Sequence, residues 1–415
     1  MGNNFMQIDY LVFTISPSIL WKPQPLKMNN TFDIISIHNF RRLQDVVLEL
    51  APLNVMIGAN GIGKTSVLEV FSLLAASAAG NLNKTISGMG GVDANLTDLD
   101  PSEIDPWIQF ELMQPVTGHP PLRYSLFLEQ RGVAPVIARE SLSQYNKSPG
   151  LHPMKYIESA SGQVRYLDPK TNKLRSPNWE YDSQESALSQ VPKMYHAPEK
   201  FRQILASSTH YHVLDVSARA PVRLPQQMRD AQLPGRDGED LVSCLYWMRE
   251  AAPERFEVIE DTLRAGFPRF DRLNFPPVAA GTLALTWKEK GIEHPFYMHQ
   301  LSEGTLRFLW LITLLYSPGL TGVTLLDEPE VSLHPELLSI LADCLREASQ
   351  RTQLIVATHA DRLIRFLQPD EVVVLDALEN GMAKATRADQ LDLKVWLKEY
   401  SLDHLWQQGT LGGKP

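Results

Sequence analysis

Runs of apolar residues divide the first part of the chain into predicted strands and a helix. Residues 32–38 alternate between apolar and polar side chains, as a half-buried strand does, and residues 46–50 and 53–57 are two further strand patterns. The last of these leads directly into a glycine-rich turn, after which residues 64–79 have the apolar spacing of a helix. A strand, a glycine-rich turn and a helix are therefore predicted in succession.

The second half of the chain predicts a further alternation of strands and helices. The strands are short apolar runs, and the helices have apolar residues at helical spacing. Strand patterns fall at residues 282–287, 323–326, 354–357 and 372–375, and helix patterns at 303–316, 335–348, 361–366 and from 391 onward. Because strands that alternate with helices favour a parallel sheet, both ends of the chain are predicted to build one helix-covered sheet.

The middle of the chain predicts a side sheet and a compact insert. Residues 107–112 and 122–128 have strand patterns of an antiparallel sheet, whereas 141–192 is polar and proline-rich and predicts loops with short pieces of structure. Helices are predicted over 191–206 and 238–265. Because no heptad repeat is sustained between the two ends, a long coiled-coil arm is excluded.

These patterns divide the chain into four predicted parts. Residues 1–27 include a proline-rich run before the first strand, and we expect a weakly ordered extension there that is dispensable for folding. Residues 28–140 are the predicted N-terminal part of the main domain, and residues 271–415 its C-terminal part. A mixed loop and helical insert over residues 141–270 is expected between them.

Composition and charge narrow the classes of function. Of the 415 residues 44% are hydrophobic and 21% charged, as in a soluble globular protein. The formal net charge of -9 excludes nucleic-acid binding through bulk positive charge, so such a surface must be a local patch. Cys244 and Cys344 give neither a metal-binding spacing nor a disulfide framework, and no stretch is long enough to span a membrane. We expect a cytoplasmic protein.

The glycine-rich turn carries the strongest chemical signal. Its sequence G-A-N-G-I-G-K-T at residues 58–65 fits a loop whose backbone N–H groups cradle phosphates, and a plain turn is the weaker alternative between a strand and a helix. Lys64 would place a positive charge on the β- and γ-phosphates, and the Thr65 hydroxyl would ligate Mg²⁺. The expected nucleotide contacts in this segment are Asn60, Gly61, Gly63, Lys64, Thr65 and Ser66.

Two adjacent carboxylates and a histidine follow two of the predicted strands. Because like charges repel, Asp327 and Glu328 need a cation or separate tasks. We expect Asp327 to complete the Mg²⁺ shell through water, and Glu328 to act as the general base towards the attacking water. His359 can hydrogen-bond a γ-phosphate. The alternatives are a surface turn for the carboxylates and a structural role for the histidine.

Ser302 and Gly304 lie at the start of the helix predicted over residues 303–316. A hydroxyl and exposed N–H groups at a helix start form a second anion site. Two such helix starts cannot both serve one small nucleotide unless they come from two subunits. The sequence therefore predicts a head-to-tail homodimer with two shared ATP sites, and an ordinary capped helix is the alternative.

Together these segments resemble the ABC-type ATPases of the RecF/SMC/OLD branch. The corresponding motifs are the phosphate loop, signature, Walker B segment and switch histidine, at residues 58–65, 301–305, 324–329 and 357–359. Residues 39–43, N-F-R-R-L, resemble an N-terminal element of that branch, which implies a nucleotide contact by Arg41. The sequences E-P-E-V-S-L-H-P at 328–335 and Y-S-L-D-H-L-W at 400–406 are similar to stand-alone OLD-like ATPases without a nuclease domain.

The resemblance implies an α/β P-loop NTPase of the ABC type, with a mostly parallel helix-covered sheet, an antiparallel side sheet, a compact helical insert and no long coiled coil. ATP and Mg²⁺ are the implied cofactors and ATP hydrolysis the implied activity. The dimer would close on two ATP molecules and act on DNA or a partner effector, in DNA repair or defence against foreign DNA. The alternative is an ATP-gated switch that controls a separately encoded toxin or nuclease by protein contact alone.

Departures from the family pattern leave some assignments open. Glu303 in the signature L-S-E-G-T places a carboxylate near a γ-phosphate and argues against a transporter subunit, and His334 replaces the aspartate that transporters carry there. A glutamine that senses Mg²⁺ is expected, and Gln130, Gln184 and Gln190 are equal candidates. Two interpretations are open for a set of six arginines: they line a groove for a DNA backbone, or they are scattered charges on a solvated loop. The set is Arg41, Arg42, Arg219, Arg223, Arg229 and Arg236.

Overall fold

The computed structural model describes residues 31–98, 105–132, 134–144, 153–160, 162–168, 171, 173–320, 322–392 and 400–412. The extension predicted over residues 1–27 lies outside the described residues. Residues 393–399, within the helix predicted from residue 391 onward, also lie outside them.

Short strands make up most of the regular structure in these ranges. They are β1 (Ile34–Phe40), β2 (Leu43–Glu49), β3 (Leu53–Gly58), β4 (Trp107–Val116), β5 (His119–Arg131), β6 (Ala134–Gln144), β7 (Met154–Ala160), β8 (Gln163–Asp168), β9 (Lys173–Arg175), β10 (Thr209–Tyr211), β11 (Gln226–Gln227), β12 (Phe270–Asn274), β13 (Pro277–Ala279), β14 (Thr282–Leu283), β15 (Thr286–Glu289), β16 (Phe296–Tyr297), β17 (Val323–Asp327), β18 (Gln353–Ala357), β19 (Val372–Ala377) and β20 (Ala383–Arg387).

Helices of up to 16 residues accompany these strands in the described ranges, and none of them is long and apolar enough to cross a membrane. They are α1 (Lys64–Ala79), α2 (Leu82–Gly88), α3 (His196–Ala206), α4 (Leu241–Ala251), α5 (Pro253–Gly266), α6 (Glu303–Tyr316), α7 (Leu337–Ala348), α8 (Asp361–Ile364) and α9 (Leu402–Gln407).

A central sheet of the described strands has the order β10-β17-β18-β3-β19-β20. Its strands are parallel except β20, which runs antiparallel to β19. Successive residues of one strand enter different cores: Val55 and Ile57 of β3 pack with α4 to α7, whereas Met56 packs with α1. Burial on both faces explains why these strands are continuous apolar runs in the sequence.

An antiparallel sheet in the order β2-β1-β4-β5-β6-β7-β8-β9 lies on the other side of α1. Ile35 and Ile37 of β1 share one apolar core with Val67 and Phe71 of α1. Helix α1 is therefore enclosed between two sheets, and its N-terminus, which follows the glycine-rich loop, is held by both.

Strands β7 to β9 lie in residues 141–192, where loops with short pieces of structure are expected, and join these pieces to the antiparallel sheet. These strands form one end of the antiparallel sheet and bury at most alternate residues, so their sequences are polar and resemble loops. The predicted boundary at residue 140 falls within β6, and the division into four parts stays a prediction.

Two further patterns are divided in the structure. The strand predicted over residues 282–287 is split between β14 and β15, which belong to separate three-stranded sheets. The helix predicted over residues 238–265 is two helices, because Pro253 begins α5 and cannot continue α4.

Candidate nucleotide site

Three of the predicted motifs meet at one edge of the central sheet. The strands β17, β18 and β3 are parallel neighbours, with Asp327 opposite Ala357 and Ala357 opposite Met56. Because parallel strands end at the same edge, the carboxylates after β17, the histidine after β18 and the glycine-rich loop after β3 are brought together.

The glycine-rich loop has a backbone that other residues would not tolerate. Gly58 has a φ of 148°, and a Cβ atom there would lie 2.2 Å from the carbonyl oxygen of Leu375. Gly63 has a φ of 120° and begins α1 without a side-chain cap. The first N–H groups of α1 therefore have no intrahelical or capping partner, which is the arrangement that binds phosphate.

Lys64 is folded back onto this loop. Its side chain is 4% exposed, and Nζ donates hydrogen bonds to the carbonyl oxygens of Gly58 at 2.6 Å and Ala59 at 3.0 Å. Burial lowers the pKa of Lys64 to about 8, although the negative charges of Glu328, Asp327 and Glu330 act to raise it. The Lys64 ammonium group therefore lies close to the carboxylates of Asp327 and Glu328.

Asp327 and Thr65 are close enough to share a cation. Burial raises the pKa of Asp327, with Glu328 adding to the effect, whereas His212 and a hydrogen bond with the Thr65 hydroxyl lower it. A hydroxyl and a carboxylate are oxygen donors of the kind that Mg²⁺ prefers. The residues predicted for the metal thus fit that ion in type and proximity.

Glu328 and His359 face each other across the ends of β17 and β18. His359 Nε2 lies 3.6 Å from Glu328 Oε1, and each side chain is about two-fifths exposed. Burial lowers the pKa of His359, and the charge of Lys64 acts in the same direction, which favours a neutral imidazole. Glu328 also has a positive φ of 48°, an unusual conformation for a residue with a side chain.

Glu330 fixes the strand end that carries His359, a role that the sequence analysis missed. Its carboxylate accepts hydrogen bonds from the Thr358 hydroxyl at 2.6 Å and from the His359 backbone N–H at 3.1 Å. Burial raises the pKa of Glu330. The segment that follows Asp327 and Glu328 is therefore tied directly to the strand end that carries His359.

Arg41 lies against the first turns of α1. It is ion-paired with Glu69, its Nε donates to Asn95 Oδ1 at 2.9 Å, and its Nη1 lies 3.5 Å from the Ser66 hydroxyl. These contacts hold a guanidinium beside the phosphate loop. Glu69 did not figure in the sequence prediction, because its pairing with Arg41 depends on the way β1 packs on α1.

The start of α6, which carries Ser302 and Gly304, lies against Ser332 of the same chain. The Ser302 hydroxyl caps α6 by accepting from Thr305 N at 3.2 Å. A Cβ atom on Gly304 would lie 2.4 Å from the carbonyl oxygen of Ser332, so only glycine allows this approach. Within the described residues, no hydrogen bond or ion pair joins either residue to the phosphate loop of the same chain.

Arg307 holds the same helix start in place and was also missed. Its Nε donates to the carbonyl oxygen of Leu214 at 3.2 Å, and its Nη1 bonds the Ser332 hydroxyl. This role could not be predicted from the sequence, because Leu214 and Ser332, the partners of Arg307, are distant from it along the chain.

Four of the other predicted polar residues have partners within the chain. Gln130 accepts from the backbone N–H of Val92, and Gln190 bonds the backbone of Asp182. Of the basic set, Arg223 donates to the carbonyl oxygens of Val216, His299 and Leu301, and Arg229 pairs with Asp240.

Comparisons with known proteins identify a family and a fold for the chain. The family model described as "AAA domain, putative AbiEii toxin, Type IV TA system" matches residues 53–365, more than half of the chain. No curated protein matches the chain. A solved Smc head domain with an extended coiled coil, bound to the C-terminal domain of ScpA derived from Pyrococcus furiosus, is 11% identical, with a TM-score of 0.50. The match covers 89% of this chain and 98% of that one.

Two further solved structures are similar. The SMC head domain from Thermotoga maritima is 11% identical, with a TM-score of 0.45, covering 86% of this chain and 98% of that one. A SmcHead bound to the C-winged helix domain of ScpA is 14% identical, with a TM-score of 0.49, covering 86% and 97%. The predicted fold class, an ABC-type P-loop NTPase, is confirmed; identities this low show the fold alone.

Proposed function

Because the chain belongs to the family described as "AAA domain, putative AbiEii toxin, Type IV TA system", we propose that it binds ATP with Mg²⁺ and hydrolyses it at the sheet edge described above. The observation that carries the proposal is the cluster of Lys64, Asp327 and Glu328 at the sheet edge where the parallel strands β3 and β17 end. A phosphate-binding cation beside two carboxylates is the set of groups that nucleotide hydrolysis needs.

Each group in this cluster has a separate proposed task. Lys64 leaves the carbonyl oxygens of its own loop and binds the β- and γ-phosphates, while Thr65 and Asp327 hold Mg²⁺, which when bound neutralises negative charge on those phosphates. Glu328 takes a proton from the attacking water. His359, kept neutral by burial, donates a hydrogen bond towards the γ-phosphate. The remaining proposed nucleotide contacts are Arg41, Asn60, Gly61, Gly63, Ser66, Ser302 and Gly304.

A second copy of the chain supplies Ser302 and Gly304 in this proposal. The contacts of these two residues within one chain are to the start of α6 and to Ser332, not to the phosphate loop. Ser302, Asn60 and Thr65 are all exposed, so their surfaces are accessible to a partner. Two copies arranged head to tail would form two equal ATP sites.

We propose that the closed dimer acts on a partner effector or on DNA, in repair or in defence against foreign DNA. One observation favours the alternative, a switch that controls a separately encoded toxin or nuclease by protein contact. Arg41, Arg223 and Arg229, three of the six arginines considered for a DNA groove, are bonded within the chain. The finer resemblance to stand-alone OLD-like ATPases is part of the same proposal.

The pH dependence of ATP affinity tests the nucleotide proposal. Below pH 8 Lys64 is already charged, so affinity should be constant; above it, binding must first return a proton to Lys64. Since the phosphates raise the pKa of Lys64 again, the dissociation constant for Mg-ATP is expected to rise about tenfold between pH 7 and pH 9. Isothermal titration at each pH measures it.

The matched controls are two lysine variants. Lys64→Ala should lose ATP binding, and its residual affinity should not depend on pH. Lys84→Ala removes an exposed lysine on α2 and should keep the wild-type affinity and pH profile. Normal ATP binding by Lys64→Ala would contradict the assignment of the site.

Direct measurement of DNA binding separates the two downstream functions. The Glu328→Gln protein with Mg-ATP is mixed with a fluorescent DNA duplex, and anisotropy is followed between about 50 mM and 200 mM salt. We expect no binding, as the switch requires. Binding that weakens steeply with salt, and that is reduced in a variant lacking Arg219 and Arg236, would instead establish action on DNA.

A further inference from the structure

Two histidines stand beside Asp327 and have no part in the proposed hydrolysis. His210 and His212 flank Tyr211, which β10 pairs with Leu326, the residue before Asp327. The two imidazole rings are 4.0 Å apart between centroids. One ligand atom from each histidine and one carboxylate oxygen of Asp327 all lie within 4.8 Å of one another.

The hydrogen bonds of His210 leave one ring nitrogen available as a metal ligand. The Ser72 hydroxyl lies 3.0 Å from the carbonyl oxygen of Leu68, which can only accept, and 3.2 Å from His210 Nδ1. Both hydrogen bonds are made when the hydroxyl donates to Leu68 and accepts from His210 Nδ1. That bond assigns the ring proton to Nδ1 and leaves a lone pair on Nε2.

The Nε2 atom of His210 is itself in an unusual environment. His210 is only 8% exposed, and Nε2 is buried with no hydrogen-bond partner in the part of the chain that the structure describes. A buried polar atom without a partner is costly and normally indicates a missing ligand, water or ion. His212 is exposed, so an ion can reach this position from solvent.

We propose that His210, His212 and Asp327 bind a divalent transition metal ion, with Zn²⁺ as the best chemical match. Imidazole nitrogen suits zinc and similar ions, whereas Mg²⁺ prefers six oxygen ligands. Three protein ligands leave a fourth position open, as in zinc sites that exchange a bound molecule. The bond from Ser72 to Nδ1 orients the His210 ring, as outer partners of ligating histidines do.

Sharing of Asp327 gives the ion a regulatory effect, and this step alone rests on the proposed function. Asp327 is also a proposed ligand of Mg²⁺ in the nucleotide site. Because a carboxylate that already binds one divalent cation attracts a second one less, and the two cations repel each other, the transition metal and Mg-ATP should compete. Zn²⁺ would then hold the ATPase in an inactive form.

The test uses the full-length protein without nucleotide, so it does not depend on ATP hydrolysis. Co²⁺ serves as a visible probe of a nitrogen and oxygen site, and Zn²⁺ should displace it at one ion per chain. His210→Ala and His212→Ala should each weaken Co²⁺ binding at least about tenfold, the scale seen even for outer-shell partners. His294→Ala, which removes an exposed histidine elsewhere, should change nothing.

His212→Ala is the deciding variant, because an exposed side chain is removed and the fold should remain intact by circular dichroism. If Co²⁺ gives no visible bands, or if His212→Ala binds Co²⁺ as tightly as the wild-type protein, the metal site is wrong. A protein that binds Co²⁺ through these residues but fails to bind ATP would keep this inference and overturn the proposed function instead.

Discussion

Replacement of Glu328 by glutamine is expected to leave ATP binding intact and to lower ATP hydrolysis about 10²–10⁴-fold, the range for loss of a general base. Glutamine keeps the size of the side chain and a hydrogen-bonding oxygen but cannot take a proton from water. The phosphate-binding groups, Lys64 and the N-terminus of α1, are untouched by the change. Binding should even tighten, because one of the negative charges acting on Lys64 and its phosphates is removed.

Phosphate release and ATP titration on the same preparation measure both parts of this prediction. Glu379→Gln, at an exposed turn position, is the matched control and should behave as the wild-type protein. Hydrolysis at the wild-type rate by Glu328→Gln would remove it as the base. Glu330 would then be the next carboxylate to test, although its bonds to Thr358 and His359 occupy it structurally.

The second large effect concerns mixtures of two inactive variants. Ser302→Arg should block closure by bulk and misplaced charge at the start of α6, and Lys64→Ala should block ATP binding. Each variant alone should have no ATPase activity. In a mixed dimer one site has the intact phosphate loop of one chain and the intact signature of the other, and the second site is doubly damaged.

An equal mixture should therefore regain about a quarter of the wild-type activity, since half of the dimers are mixed and each has one intact site. The control is Ser87→Arg, which adds the same charge at an exposed position of α2. Alone it should be active, which shows that an added arginine is not harmful in itself. This return of activity requires that one site can turn over without the other. A mixture of the first two variants that stays inactive at every ratio would mean either that each chain completes its own site or that the two sites turn over only together.

The elements next to the phosphate loop and the signature could be predicted to the residue. Helix α1 begins at Lys64 because a glycine-rich turn precedes it, and α6 begins after Ser302 because a serine caps it. The buried central strands were equally clear, since burial on both faces leaves only apolar residues. Local sequence therefore determined these parts of the fold and of the site.

Residues whose roles arise from tertiary packing could not be predicted. Strand β10 has only three residues and no distinct pattern, yet its parallel pairing with β17 brings His210 and His212 to Asp327. Arg307 acts through a backbone carbonyl and a hydroxyl that are distant in sequence. The polar strands β7 to β9 at one end of the antiparallel sheet could not be predicted individually, because pairing with neighbouring strands, not an apolar pattern, holds them.

The molecular mass of the Glu328→Gln protein with and without Mg-ATP tests the central claim most directly. With hydrolysis stopped, the account predicts that light scattering finds twice the mass of one chain at saturating ATP, with one ATP bound per chain. Adding Ser302→Arg to this protein should keep the ATP and abolish the increase in mass. A Glu328→Gln protein that holds ATP but remains at the mass of one chain would contradict the shared site and leave Ser302 as the cap of its own helix.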